Sequence, residues 1–352
     1  MGGHSLAGAP RLTVEPLLRL GRALAGETPS SPLGWDDLLV AARAARLEPV
    51  LLHVQRERLP PAHRAQLEAQ TRRIAFANLY ADGERRRVLE ALGPDTVVLK
   101  GAVLETLTYP AEVPRSTNDL DVLVAPEEAA SAEAALLRLG YQPVPLFHPD
   151  RPASAASPHE RLYTRELVTG RVRQSLELHT ALCQPFLHHL PVSSLLSRSL
   201  PFEEGRRLDD VDQLIHLAVH LGKEQFLSPA KHLFDLHLWV QRGLDWTALR
   251  ARCEATRTMT VVYEALRLAA AVFGTPVPAD FLAAARPGVF AAAWLAAWRR
   301  PRGTRLVAFD VPMRVHQLAT GLLQLDSVAD AKRAVTSYAA LRLADLVHPR
   351  RR

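Results

Sequence analysis

The chain has 352 residues, is 48% hydrophobic and carries a formal net charge of +6, so it is long enough for two or three domains with a sizeable core. Its two cysteines, Cys183 and Cys253, are far apart and outside any CxxC pattern, which argues against a disulfide framework and a structural zinc site. The basic charge favours acidic partners such as a nucleoside triphosphate, nucleic acid or an anionic surface, although a general preference for arginine explains it equally well.

The sequence predicts a cytoplasmic protein without a membrane segment. Residues 1–12 lack the basic and then apolar layout of a secretory signal. The longest apolar stretch, residues 288–298, is too short to cross a bilayer and ends in two arginines. The sequence does not identify a stable protein partner.

Helical periodicity dominates the first ninety or so residues, with apolar positions three and four apart. Gly93 interrupts this pattern. From there to about residue 200 the pattern alternates between short strands and helices. The predicted strands are 96–100, 119–124, 141–147, 161–167 and 171–182, the last two forming a hairpin around 169–170. The predicted helices between them are 101–109 and 126–141.

From about Leu208 helical periodicity returns and continues to the C-terminus. The fold class is therefore predicted as α+β, with a small mixed β-sheet between two helical regions. We divide the chain into an N-terminal helical region at 1–92, a mixed core at 93–200 and a C-terminal helical region at 201–352.

Two aspartates lie in the predicted strand "DLDVLV". Residues i and i+2 of a strand point to the same side, so Asp119 and Asp121 share one face while Leu120 and Val122 pack on the other. Burying carboxylates is costly unless they are paired or bind a metal. Two of them on one face repel each other unless a cation lies between them, and Mg²⁺ prefers such oxygen ligands.

Neighbouring residues suit phosphate chemistry. Gly101 ends "LKG" at the start of a predicted helix, where backbone N–H groups can approach a phosphate. Lys100 precedes it, and Arg115 offers a guanidinium fork for phosphate oxygens. A third carboxylate is expected from a later strand, where Glu177 lies in "QSLELHTAL" with His179 on the same face.

This ordered set resembles the polymerase-β-like nucleotidyltransferase superfamily. It is most similar to a bacterial family described only as uncharacterised nucleotidyltransferases, over residues 90–275. The resemblance rests on "LKG", a tyrosine after a short helix, an arginine before D-x-D, "LELH" and a later helical stretch. The matching residues are Leu99, Lys100, Gly101, Tyr109, Arg115, Asp119, Asp121, Glu177, His179, His216, His220, Lys223, Lys231, Asp235 and Trp246.

The resemblance implies a nucleotidyltransferase core in the mixed region and an Mg²⁺-dependent enzyme, with Mn²⁺ as the alternative metal. Such an enzyme would move a nucleoside monophosphate from an NTP to a hydroxyl or phosphate of an acceptor and release pyrophosphate. The implied catalytic metal ligands are Asp119, Asp121 and Glu177. The implied nucleotide-binding residues are Lys100, Gly101, Arg115 and Lys223. Ala102 stands where the superfamily usually has Gly or Ser.

Other functions stay open. A phosphotransferase would use the same metals, and a non-catalytic nucleotide- or RNA-binding module would keep the same fold. A small-molecule or peptide acceptor is favoured over tRNA, because no basic strand interleaved with aromatic residues is present. Basic segments do occur at 299–305 and 348–352.

Three further features have plainer interpretations. His216 and His220 share a helix face at metal-ligand spacing, but without the glutamate of HExxH we expect satisfied polar residues at a helix interface. Asp235 is predicted to be an ion-pair partner rather than a general base. A second D-x-D, Asp210 and Asp212, is predicted to cap the start of a helix.

Overall fold

The strands of the chain form one mixed sheet with helices around it. The computed structural model describes residues 14–28, 33–117, 119–144, 159–168, 172–184, 187–224, 226, 229–288, 292, 325–327 and 329–337. Within this part of the chain the sheet has seven strands. The α+β class predicted from the sequence is confirmed.

The helices precede, interrupt and follow the strands. Before the sheet lie α1 (Val14–Leu24), α2 (Leu33–Ala45), α3 (Glu48–Gln55) and α4 (Pro61–Leu92). Between the strands lie α5 (Gly101–Thr108), α6 (Ala129–Arg138) and α7 (Val192–Arg198). After the sheet lie α8 (Asp210–Lys223), α9 (Lys231–Gln241), α10 (Trp246–Thr256), α11 (Met259–Phe273) and α12 (Ala279–Ala284).

The strand order in space is β3-β4-β5-β2-β1-β7-β6. The strands are β1 (Val97–Leu99), β2 (Asp119–Leu123), β3 (Gln142–Pro143), β4 (Glu160–Val168), β5 (Val172–His179), β6 (Leu200–Phe202) and β7 (Gly205–Arg207). At the centre, β2 is antiparallel to β1 and parallel to β5. Strands β2 and β5 are therefore neighbours, although residues 124–171 lie between them in sequence.

Helices from both ends of the chain share one hydrophobic core. The buried side chains of this core run from Leu20 on α1 to Ala285 after α12. Helix α1 packs against α11, and Gly21 makes that approach possible, because a Cβ there would lie 1.9 Å from the carbonyl oxygen of Val272. The division at 93 and 200 stays a prediction, and the sheet itself continues to Arg207.

Most predicted elements are present, with two differences in the sheet. The predicted strand at 141–147 is seen only as Gln142–Pro143, and residues 145–147 lie outside the described part. The hairpin β6–β7 was not predicted, because its two short strands contain Pro201 and several charged residues. The turn at 169–171 and the basic segments at 299–305 and 348–352 lie outside the described residues. Among the described helices, none is long and apolar enough to cross a membrane.

Candidate active site

The sheet register brings the predicted acidic residues together. In the parallel pair β2–β5, Asp121 lies directly opposite Glu177, and Leu99 of β1 lies opposite Asp121 on the other side. Leu120 and Val122 alternate with the aspartates and are buried in the core. This alternation is what the period of two in the sequence predicts.

A compact group of ligand atoms forms where β2 and β5 run side by side. Asp121, Glu177 and His179 each place one oxygen or ring nitrogen so that the three atoms lie within 4.8 Å of one another. His179 Nε2 is 3.2 Å from Asp121 Oδ1 and 3.5 Å from Glu177 Oε2. His179 is therefore part of the site, although the sequence analysis placed it only on the face of Glu177.

Lys100 also reaches this group from the end of β1. Its Nζ donates a hydrogen bond to Asp121 Oδ1 at 3.1 Å, and only 7% of the residue is exposed. The backbone of Lys100 has φ 42° and ψ −112°, a conformation that non-glycine residues rarely adopt. Such strain is found mostly at functional sites. The ammonium of Lys100 thus lies beside Asp121 and offsets its negative charge.

The pKa values of the group follow from burial and from these contacts. Burial opposes ionisation of Asp121, but the charge of Lys100 and the hydrogen bond from His179 outweigh it and hold its pKa well below the usual value. Burial raises the pKa of Glu177. Burial opposes protonation of His179, yet its hydrogen bonds to Asp121 and Glu177 raise its pKa. Asp121 is thus firmly ionised, whereas Glu177 keeps its proton to a higher pH than an exposed glutamate does.

The donor set fits a divalent cation. Asp121 and Glu177 supply the carboxylate oxygens that Mg²⁺ and Mn²⁺ bind, and the imidazole of His179 suits a transition metal better than Mg²⁺. Asp119 is half-buried at the start of β2 and is not one of the three grouped residues. Its role as a metal ligand stays a prediction.

Arg115 forms a buried pair with Asp235. Its Nε and Nη2 donate to the two carboxylate oxygens of Asp235 at 2.9 and 2.6 Å, and Tyr109 OH donates to the same carboxylate at 2.9 Å. Asp235 has no exposed surface. Its predicted role as an ion-pair partner is confirmed, and the pair fixes the loop between α5 and β2 against α9.

The remaining nitrogen of Arg115 faces the start of α5. Nη1 donates to Thr117 Oγ1 at 3.1 Å. A Cβ on Gly101 would lie 3.0 Å from Thr117 Cγ2 and 3.4 Å from this Nη1. Gly101 therefore allows the loop to approach the N-terminus of α5, where backbone N–H groups favour an anion.

Lys223 lies at the exposed end of α8. Its Nζ is 2.5 Å from Glu160 Oε2 on β4, and Glu160 lies opposite His179 in the β4–β5 pair. Lys223 is thus paired with a carboxylate that lies next to His179 at the edge of the site. Its predicted contact with a nucleotide stays a prediction.

The histidines of α8 differ from expectation. His216 is buried, and neither of its ring nitrogens has a partner among the described residues. One turn earlier, the side-chain oxygen and nitrogen of Gln213 are also buried without a hydrogen-bond partner among the described residues. The prediction that His216 is satisfied is therefore wrong. His220 instead packs edge-on against His232 of α9, with ring centroids 5.0 Å apart.

The second D-x-D begins α8, as predicted, but a different residue caps the helix. The side chain of Asp209 accepts the N–H of Asp212 at 2.6 Å. Asp212 itself pairs with Arg198 and Arg252. This copy of the motif is structural.

A residue that the sequence analysis did not assign lies close by. Lys231 begins α9 and is 4% exposed, and its Nζ donates to the carbonyl oxygen of Ser116 at 2.6 Å. Burial and the charge of Arg115 lower its pKa to about 7. One signal was available: the chain has only four lysines, Lys100, Lys223, Lys231 and Lys332, and three of them lie around this site.

The arrangement can be compared with known proteins. Residues 31–274, from α2 to the end of α11, match the model of a family described as uncharacterised nucleotidyltransferase. No curated protein and no solved structure matches the chain. Because the family model covers more than half of the sequence, the chain belongs to this nucleotidyltransferase family.

Proposed function

We propose that the protein is a metal-dependent nucleotidyltransferase that moves a nucleoside monophosphate from an NTP to a hydroxyl or phosphate of an acceptor. The observation that carries this proposal is the group of Asp121, Glu177 and His179 on adjacent parallel strands, with ligand atoms within 4.8 Å. Family membership supports the general reaction class.

Each residue of the group has a proposed task. Asp121 and Glu177 hold Mg²⁺ or Mn²⁺, with Asp119 approaching from the start of β2 and His179 keeping the two carboxylates in place. When bound, such an ion would neutralise charge on the phosphates and polarise the α-phosphoryl group. Glu177, whose pKa is raised by burial, is suited to take the acceptor's proton.

The nucleotide is proposed to lie between β1, α5 and the loop that precedes β2. Gly101 exposes the N-terminus of α5 to the phosphates, and Nη1 of Arg115 faces the same place while its other nitrogens hold Asp235. The acceptor oxygen attacks the α-phosphorus, the bond to the bridging oxygen breaks, and pyrophosphate leaves. Lys100 and Lys223 supply positive charge at the two edges of the carboxylates.

The test is the identity of the transferred group. The purified protein is incubated with each α-labelled NTP, Mg²⁺ or Mn²⁺ and host-cell extract, and the labelled species is identified by mass. Added nucleotide supports the proposal, whereas transfer of label only in a parallel incubation with γ-labelled NTP indicates a phosphotransferase. No labelled product under any condition supports a binding module.

A matched pair of variants tests the site itself. Asp121→Asn should abolish transfer. Asp210→Asn changes the first residue of the second D-x-D, which pairs with Arg207 at the surface, and should leave transfer unchanged. Equal activity of the two variants would refute the assignment.

A further inference from the structure

Lys231 is a buried cation that lacks an anionic partner. Among the described residues, no carboxylate oxygen lies within ion-pair distance of its Nζ, and its hydrogen bond goes to the neutral carbonyl of Ser116. Buried charges are normally paired, because a lone one is costly to desolvate. An ammonium has three N–H donors, so this one is suited to hold further oxygen atoms.

Three other basic residues around the site are already paired with carboxylates. Lys100 pairs with Asp121, Arg115 with Asp235 and Lys223 with Glu160. Their charges are largely balanced within the protein itself. Lys231 differs from these three, because among the described residues its Nζ has a neutral carbonyl and no carboxylate as its partner.

Its position connects it with the proposed nucleotide site. Ser116, which accepts the hydrogen bond, and Thr117 are half-buried neighbours in one loop, and Thr117 Cγ2 lies 3.0 Å from where a Cβ on Gly101 would stand. Asp119 follows in the same segment, and its charge acts on Lys231. The hydrogen bond to Ser116 thus ties the ammonium to the loop that runs past the start of α5 and leads into β2.

We infer that Lys231 binds the β- and γ-phosphates of the nucleotide, and this rests on the proposed function. The anion would bind at the N-terminus of α5, beside the loop that carries Ser116 and Thr117. A divalent ion alone does not explain the lysine, since like charges repel. The low pKa of Lys231 supports the same view, because an anion would restore the stability of the charged form.

A purely structural role is the rival explanation, in which Lys231 serves only to hold the loop through Ser116. Two variants separate these roles. Lys231→Gln keeps a donor for the carbonyl of Ser116 but removes the charge. Lys231→Met keeps the aliphatic part of the side chain but removes both the hydrogen-bond donor and the charge. Lys332→Met, an exposed lysine on the helix at residues 329–337, is the control.

The experiment measures binding of Mg-ATP, AMP and inorganic tripolyphosphate by calorimetry in the full-length protein. In both Lys231 variants we expect affinity for ATP and tripolyphosphate to fall by about ten- to hundredfold. AMP binding and the melting temperature of Lys231→Gln should stay within error of the wild type. The control should bind all three as the wild type does.

The outcomes separate this inference from the proposed function. Wild-type affinity of Lys231→Gln for tripolyphosphate would overturn the inference and leave nucleotide transfer intact. Equal losses for AMP and ATP would also overturn it, because they indicate a disturbed loop. Selective loss of tripolyphosphate binding without any nucleotide transfer would refute the proposed function and keep Lys231 as an anion site.

Discussion

Replacing Asp235 with asparagine tests the buried ion pair between Arg115 and Asp235, which holds the loop between α5 and β2 against α9. Asp235 is fully buried and accepts three hydrogen bonds, two from Arg115 and one from Tyr109. Asparagine keeps the shape but removes the charge, so the guanidinium of Arg115 stays buried without its counter-ion. Breaking a buried pair in this way costs about 3–5 kcal/mol. The hydrogen bonds to a charged partner, worth about 1.5–3 kcal/mol each, account for a loss of that size.

The assay is urea unfolding monitored by circular dichroism. We expect Asp235→Asn to lower the unfolding free energy by about 3–5 kcal/mol. A double variant, Asp235→Leu with Arg115→Met, should recover most of this loss, because no unpaired charge remains. Asp37→Asn is the control: its partner Arg19 is 3.3 Å away and both side chains are well exposed, so the change should be below about 1 kcal/mol.

A loss below about 1 kcal/mol for Asp235→Asn would refute this reasoning. It would mean that Arg115 finds solvent or another anion when Asp235 is neutral. The guanidinium would then be free for phosphates, and its main role would be in nucleotide binding. A double variant that is less stable than either single variant would refute the pair as the source of the cost.

Three further outcomes are expected. Glu177→Gln should lose nucleotide transfer as completely as Asp121→Asn, whereas Glu166→Gln, which changes an exposed residue of β4, should retain it; the reverse order would place catalysis on the wrong strand. Burial and the charge of Lys231 lower the pKa of His232 to about 3 in the folded state. An unfolded histidine titrates near pH 6.5. Between these two pH values the unfolded state therefore binds more protons than the folded state. The unfolding free energy should therefore fall as the pH drops below about 6.5, by up to about 1.4 kcal/mol per pH unit. The fall should be smaller in His232→Gln. Urea unfolding at pH 7.5 and 5.5 measures both proteins, and an equal fall in the two would contradict the prediction. His216→Leu removes two buried nitrogens without partners and should raise the unfolding free energy by about 1 kcal/mol in the same assay, whereas a loss would show that they have partners in solution.

Local patterns are enough to predict the strands that carry the site. A buried strand with two aspartates at i and i+2 conflicts with the cost of burying charge, and this conflict distinguishes Asp119 and Asp121 from the other acidic residues of the sequence. The same period of two identifies Glu177 and places His179 on its face. Pairing between β2 and β5 was not predictable, because it depends on non-local register.

The contacts of the charged residues around the site could not be predicted, because their partners are distant in sequence. Arg115 and Asp235 are 120 positions apart, and neither residue type indicates by itself which charge it meets. Lys100 meets Asp121 only through an unusual backbone conformation at the end of β1. Lys231 is distinctive only once its neighbours are known, since the scarcity of lysine marks it without giving a role.

The contact between Lys100 and Asp121 bears on how the site works. If Asp121 binds a divalent ion as proposed, that ion and the ammonium of Lys100 would compete for the same carboxylate. Negative charge from Glu177 and Asp119 also acts on Lys100, and this attraction favours the ammonium until an ion binds. Binding of such an ion to Asp121 would leave Lys100 without its partner, next to the start of α5 and the proposed phosphates. A flexible lysine stem can make this exchange more readily than the rigid fork of an arginine, which gives a physical reason for a lysine at this position in a chain with 43 basic residues and only four lysines.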